Sequence, residues 1–470
     1  MKKIALFIIL FISVIASAQA DTKPKNIIIL FADGTTSSQY EFGRYSSALL
    51  REQSFAVTDI VMAKGQYQLM KTESANYFVT DSAAAGSAMS TGYKVNNGAI
   101  SITPDGKAPP TILKLAKDKG KRIGLLSTAP IYDASPAAFS VHAKSRRDYE
   151  LIVTQYLELT PDVLMGGGSN YFLPNSLPGG KRQDGKNMIA AFEAKGYQYV
   201  NTPAQLNQIK SSKLLGLFAD EDLDYEIDRN SQETPNLAQM VTAALQVLNQ
   251  DSKKSNNKGF VLFAENENTD SAGHHNDVAA LMRDLWAFDD AVKVALEFQK
   301  RNPDTLVIVT GDHETGGFSP TYGRKNLEPA GNANYLNVKI EQLKLIERYK
   351  MSLDAFSQKF KAKAKQTTSI PELNTYLNTL LQENFPGLVL DDDLREKILT
   401  QSQLGPNSNN LPANILGLAI ARQTGFYWGS SGHTPAPITV AAIGPGSQLF
   451  KGFDDNTAFA VKLRQLIGQK

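Results

Sequence analysis

The amino-acid sequence predicts an α/β fold: a three-layer sandwich with a mostly parallel central sheet flanked by helices, interrupted by an inserted, mainly helical lobe. Short, nearly continuous apolar runs recur along the chain, and without polar alternation they read as strands buried on both faces. Helical patterns lie between these runs, and strands alternating with helices are the mark of helices layered on a sheet. The stretch from Phe318 to Trp428 lacks any such buried run and reads as the insertion.

In chain order the strands are expected at Asn26 to Phe31 (NIIILF), Arg122 to Leu126 (RIGLL), Phe260 to Ala264 (FVLFA), Thr305 to Val309 (TLVIV) and Ile438 to Ile443 (ITVAAI). Helices are expected at Thr111 to Lys119, Arg146 to Leu159, Pro235 to Leu248 and Asn276 to Phe298. Within 318–428 a Lys/Glu/Gln-rich segment, Asn337 to Lys363, has a helical composition, Asp391-Asp392-Asp393 is acidic, and Gly405 to Asn410 is loop-like. No internal repeat is visible.

The chain has 470 residues, 42% of them apolar, which excludes disordered, collagenous and cysteine-stapled classes and allows a large core. There are 49 Lys+Arg, 47 Asp+Glu, 5 His and no Cys. Balanced charge leaves no electrostatic footprint for nucleic acid and no polybasic membrane patch. The absence of Cys excludes disulfides, thiolate metal sites and a cysteine nucleophile, so any transition-metal site must use His and carboxylates. At the N-terminus Lys2 and Lys3 precede an apolar stretch, Ile4 to Ala18, and a small-x-small signal, Ala18-Gln19-Ala20. This reads as a signal peptide over residues 1–20, since the 15-residue apolar stretch falls short of the roughly 20 residues a membrane-spanning helix needs. The mature chain, 21–470, is expected to be periplasmic or secreted with no membrane anchor. Loss of Lys2 and Lys3 leaves 47 basic against 47 acidic residues.

Ligands in open α/β sheets bind beyond the carboxyl ends of the strands. NIIILF is followed there by Asp33, FVLFA by Glu265, TLVIV by Asp312-His313, and RIGLL shortly by Asp133. Taken singly, an acidic residue at a strand end is more often just that or a helix cap; four strand ends together point to a site. Ser82, in Thr80-Asp81-Ser82-Ala83-Ala84-Ala85-Gly86-Ser87, precedes a run of small residues that should open a helix, where free N–H groups attract an anion. It is placed like a nucleophile, although an ordinary N-cap is the commoner role of such a serine and nearby ligands must decide between them. Asp270 and His274, four residues apart after Glu265, can meet on one side of a helical turn as two ligands of a divalent ion, with His275 as the competing imidazole. The run from His313 is not the zinc motif of metalloproteases, because Gly317 stands where the second His would be. His433 lies just before ITVAAI. Arg146 follows Asp133-Ala134-Ser135 and is suited to bidentate contact with phosphate, although Arg146 and Arg147 read equally as a solvated pair.

Ile29 to Gly34, the Asp81-Ser82 block, Asp133 to Ala138, Glu265 to His274, Thr310 to His313 and His433-Thr434 resemble the motifs of the alkaline phosphatase family, in that family's order. The resemblance runs from about Lys25 to Asp454-Asp455-Asn456-Thr457, except for the insert. It implies two zinc ions and one magnesium ion. Asp33 would bridge a zinc and the magnesium; Asp312, His313 and the Ser82 oxygen would complete that zinc site, and Asp270, His274 and His433 would hold the second zinc. Glu265 and Ser135, with Asp133 direct or through water, would complete the magnesium site. Arg146, oriented by Asp81, would clamp the phosphate. The implied activity is hydrolysis of phosphate monoesters through a phosphoserine intermediate, in a homodimer. Three positions depart from the usual pattern: Ser87 stands where Thr is usual, Ser271 where some relatives carry a basic residue or His, and Ser135 at a position shared by Ser and Thr. A sulfatase-like reading is opposed by Ala83-Ala84-Ala85, which lacks the Pro and Arg sulfatases use there. A metal- or phosphate-binding protein without turnover would not need the Ser82 block.

Overall fold

The computed structural model describes residues 23–250, 257–324, 335–337, 340–401 and 410–468. The signal peptide expected at 1–20 and most of the Gly405 to Asn410 loop lie outside them. The first eight strands are β1 (Asn26–Ala32), β2 (Gln66–Met70), β3 (Arg122–Pro130), β4 (Val163–Gly167), β5 (Gln198–Val200), β6 (Leu214–Leu217), β7 (Phe260–Asn266) and β8 (Thr305–Thr310). Then come β9 (Glu314–Thr315), β10 (Phe318–Pro320), β11 (Tyr322–Arg324), β12 (Tyr335–Asn337), β13 (Phe426–Trp428), β14 (His433–Thr434), β15 (Ile438–Ile443) and β16 (Gly452–Asp454).

Ten of them form one sheet in the order β16-β2-β15-β8-β1-β7-β3-β4-β6-β5. The strands from β8 to β5 are parallel throughout, whereas β15 runs antiparallel to both β8 and β2. The ITVAAI run is therefore a strand at its expected bounds in the opposite direction, which apolarity alone does not encode. Every residue of β1 is buried. Ile28, Leu30 and Ala32 enter one apolar cluster while Ile27, Ile29 and Phe31 enter another, so the strand feeds a core on each face and has no polar side to show. Burying each such aliphatic side chain contributes roughly 1.5–3 kcal/mol. Helices Leu237–Leu248 and Val278–Arg301 cover the first face; Ser82–Thr91, Ile112–Asp118, Tyr149–Leu159 and Asn456–Leu466 cover the second.

Three helix expectations change in detail. The helix expected from Arg146 starts at Tyr149, leaving Arg146 in the preceding turn, where its N–H donates to the Gly98 carbonyl. The helix expected from Asn276 starts at Val278 and is preceded by a separate helix, Asn268–His275, the two broken by Asn276 at φ +55°. The pattern from Asn337 to Lys363 divides into Ile340–Glu347 and Leu353–Ala364, the second capped by Ser352. Segment 318–428 carries these, the helices Ile370–Asn384, Asp392–Thr400 and Ala413–Thr424, and the short pairs β10·β13 and β11·β12. Its Leu343, Phe356, Leu373, Leu394 and Ile415 join the core of the first sheet face.

Candidate active site

Asp33 leaves the end of β1, Glu265 ends β7, and Asp312 and His313 follow β8, so three adjacent parallel strands deliver their acids to one point. Backbone geometry permits this only with Gly34, whose φ is +66° and whose Cα faces Asp270; a Cβ there would fall 2.6 Å from Asp270 Oδ1. Asp270 and His274 sit one turn apart on Asn268–His275, with Asp270 Oδ2 and His274 Nε2 3.1 Å apart. His433 arrives from far along the chain because β14 pairs with β9, setting His433 opposite Thr315.

Two clusters result. In the first, His313 Nε2 lies 3.1 Å from Asp312 Oδ2, 3.6 Å from Asp33 Oδ1 and 3.1 Å from Ser82 Oγ. In the second, His274 Nε2 lies 3.1 Å from His433 Nε2, which is 3.8 Å from Asp270 Oδ1. The imidazoles of His313 and His433 stack at 3.6 Å, joining the clusters. His274 Nδ1 donates to the Ser431 carbonyl and His433 Nδ1 to the Thr80 carbonyl, which orients both rings and turns both Nε2 atoms inward toward Asp270. Each trio, Asp33/Asp312/His313 and Asp270/His274/His433, has a ligand geometry that could hold a metal ion. Beside the first, Ser135 Oγ donates to Asp33 Oδ2 at 3.2 Å, and Ser127 Oγ donates to Glu265 Oε2 at 2.5 Å.

The electrostatics ask for cations. Asp33 Oδ1 and Asp312 Oδ2 are buried without a hydrogen-bond partner. Burial, then repulsion from Asp312 and Asp270, pushes the Asp33 carboxyl well up. Burial pushes Glu265 up to about 8 and Asp312 up to about 7. Burial and neighbouring His433 hold His313 well below its ordinary value, as a neutral ligand imidazole requires. At Asp270 burial acts upward but loses to His274, His433 and His313, and the carboxyl is held down. Asp270 in turn lifts His274 to about 9. Oxygen and imidazole donors around unpaired buried carboxylates fit divalent ions: His with carboxylate for zinc, oxygen for magnesium.

Ser82 is the first residue of helix Ser82–Thr91, and Asp81 is its N-cap, accepting from the Ala84 N–H at 2.9 Å. The alternative of Ser82 as a cap is thereby removed. Arg146 Nη1 donates to Asp81 Oδ2 at 3.4 Å, and Nη2 donates to Asp133 Oδ2 at 3.2 Å. Arg147 is exposed.

The family model for alkaline phosphatase matches residues 24–468. The chain belongs to the alkaline phosphatase family. It is 32% identical to alkaline phosphatase 3 of Bacillus subtilis (strain 168) over 462 residues, 95% of this chain and 90% of that one. It is similar in structure to the alkaline phosphatase of Thermus thermophilus, with a TM-score of 0.82 and 30% identity over 95% of this chain and 92% of that one. A mutant of the alkaline phosphatase from the Antarctic bacterium TAB5, with Mg bound in its M3 site, matches at a TM-score of 0.64 and 25% identity, covering 95% of this chain and 99% of that one. The protein is thus a phosphomonoesterase acting on small phosphate monoesters, on a fold shared with other alkaline phosphatases.

Of the other histidines in this phosphatase, His275 turns to Tyr225 and to Asp354 of segment 318–428, and His142 meets the Pro109 carbonyl. Ser271 donates to Glu267 Oε1 at 2.8 Å. Sequence reasoning missed three supports. Asp133 pairs with Arg146 as well as standing near Glu265. Thr315 Oγ1 donates to Asp270 Oδ1. Glu314, 3% exposed, accepts from Gln39 Nε2, Thr434 Oγ1 and the N–H groups of Gly317 and Phe318, tying the helix after Asp33 to the strand carrying His433. The only sequence signal for Glu314 was its place beside His313.

Proposed function

We propose that this phosphatase transfers the phosphoryl group of a monoester first to Ser82 and then to water, at a centre of two zinc ions and one magnesium ion. The observation that carries the reading is the 3.1 Å approach of Ser82 Oγ to His313 Nε2, a member of one His/Asp trio whose ring stacks on His433 of the other. Asp33, Asp312, His313 and Ser82 would hold one zinc, Asp270, His274 and His433 the other, and Asp33, Ser135, Glu265 and Asp133, the last direct or through water, the magnesium. Magnesium is supported by the TAB5 mutant with Mg in its M3 site. When bound, the ions supply Lewis acidity that lowers the pKa of the Ser82 hydroxyl and of water and neutralises the departing oxygen.

The chain's own residues do the rest. Ser82 Oγ, free of capping duty, attacks phosphorus; the P–O ester bond breaks opposite it, and the alcohol leaves on the side of Asp270, His274 and His433. Arg146 presents two N–H groups to two non-bridging oxygens, its plane set by Asp81 and Asp133, so that charge spread over the phosphoryl group meets a fixed donor. Water then attacks the phosphoserine, releasing inorganic phosphate and restoring Ser82 Oγ–H. Two displacements retain configuration at phosphorus.

The same reading has the leader at 1–20 removed on export to the periplasm or medium, 318–428 as an inserted lobe of the domain 21–470, and the mature enzyme as a homodimer. No helix among the described residues is long and apolar enough to cross a membrane. The test is hydrolysis of a chromogenic phosphate monoester at alkaline pH by wild type and Ser82→Ala, with elemental analysis. Equal rates would remove Ser82 as nucleophile; active protein without zinc would remove the His and carboxylate roles. Mass spectrometry of exported protein and its size in solution check the leader and the dimer.

A further inference from the structure

Among the described residues the two most exposed large apolar side chains are neighbours: Phe78 at 73% and Tyr77 at 61%. Exposed apolar residues scattered singly need no explanation, but an adjacent pair of rings four and five residues before Ser82 does. They ride on the strap that leads into Ser82, and the strap is pinned along its length. The Tyr77 carbonyl accepts from Ser74 N–H at 3.1 Å, and Tyr77 N–H donates to Ser74 Oγ at 3.1 Å. Asn97 donates to the Val79 carbonyl at 3.1 Å and accepts from Asp81 N–H at 3.2 Å. His433 Nδ1 donates to the Thr80 carbonyl at 2.9 Å. Phe78 is two residues from Thr80, so the two Cα atoms are within about 7 Å.

The strap thus backs His433, whose Nε2 faces the trio past which the alcohol departs if the two-step reading above holds; the inference rests on that reading. We propose that Tyr77 and Phe78 form an aromatic platform for the leaving group, favouring monoesters of aromatic or other planar apolar alcohols over those of small polar alcohols. A ring on a mobile loop would lose ordering entropy on each binding event, whereas here the backbone is fixed before substrate arrives. A planar alcohol stacks on such a ring face and removes apolar area from water on both sides, while glycerol leaves the rings wet. The phosphate clamp is a separate group, because Arg146 is held by Asp81 and Asp133 and by neither ring.

The experiment compares kcat/KM for 2-naphthyl phosphate and glycerol 2-phosphate in wild type, Tyr77→Ala, Phe78→Ala, the double variant and Phe78→Trp. We expect the double variant to lose about tenfold on naphthyl phosphate, to stay within about twofold on glycerol 2-phosphate, and Phe78→Trp to keep the aromatic preference. Equal losses on both esters would make the rings a support for the strap and overturn the platform, as would no loss on either. A wild type that hydrolyses neither ester would instead overturn the phosphomonoesterase site itself, and the platform with it.

Discussion

Ser82 Oγ stands 3.1 Å from His313 Nε2 across 231 residues of sequence. The approach depends on Asp81, which caps the helix and leaves the serine oxygen unoccupied. Ser82→Ala should therefore lower kcat for phosphate monoesters by at least about a thousandfold while leaving the fold intact, since the first residue of this helix makes no cap. Acid quenching with labelled substrate should trap phosphoprotein in wild type and none in the variant.

Metal removal should make stability depend on pH in a direction the buried acids dictate. Asp33, Glu265 and Asp312 are all raised by burial, the last two to about 8 and about 7. A raised acid favours the folded state in its neutral form, so in metal-free protein its contribution is fully present below about pH 4 and is lost as pH rises through 7 to 8. Chelator-treated enzyme should show a Tm that falls from about pH 4 to about pH 8 and levels off above it, and the Tm gained on adding zinc and magnesium should widen over that interval. A gain independent of pH would contradict the shared-cation account of these carboxylates.

Gly34 should tolerate no side chain. Its backbone is left-handed and a Cβ would press on Asp270 Oδ1 at 2.6 Å and Asp270 Cα at 2.7 Å. Gly34→Ala should cost about 1–3 kcal/mol from the backbone alone and displace Asp270 from His274 and His433. Chelator competition should then show weakened binding of one zinc per chain, with urea unfolding recording the stability loss.

Glu314 should act on metal binding without touching metal. Glu314→Ala would strand the buried donors of Gln39, Thr434, Gly317 and Phe318 and cost about 2–5 kcal/mol. Thr434→Val, which removes one of those bonds, should cost about 1 kcal/mol and loosen His433 more gently. Thermal unfolding ranks the two, and zinc affinity should fall in the same order; unchanged affinity in a folded Glu314→Ala protein would sever the link to His433.

Much of this was legible in the residues. The strand runs were readable because β1, β3, β7 and β8 are buried on both faces and carry no polar alternation, and their shared acidic ends marked the site edge. The direction of β15 was not readable, because apolar burial is the same for either strand direction. Nor was the break at Asn276, a single left-handed residue that separates the helix of Asp270 and His274 from the long helix after it. Glu314 and Thr315 escaped because their hydrogen bonds join segments whose proximity is set only by the β9·β14 pair.

By itself the sequence determined the layered α/β class, the chemical types gathered at the sheet's edge, and the recourse to His and carboxylate in a chain without Cys. Those follow from composition and local order, since burial pattern and donor type are properties of residues in a row. The tertiary structure alone decided which imidazoles converge. His313, His433 and His274 share one centre while His275, next to His274 in the chain, turns to Tyr225 and Asp354. Successive helical residues point about 100° apart, so adjacency in sequence separated the last two, and only a ladder between distant strands could bring His433 in.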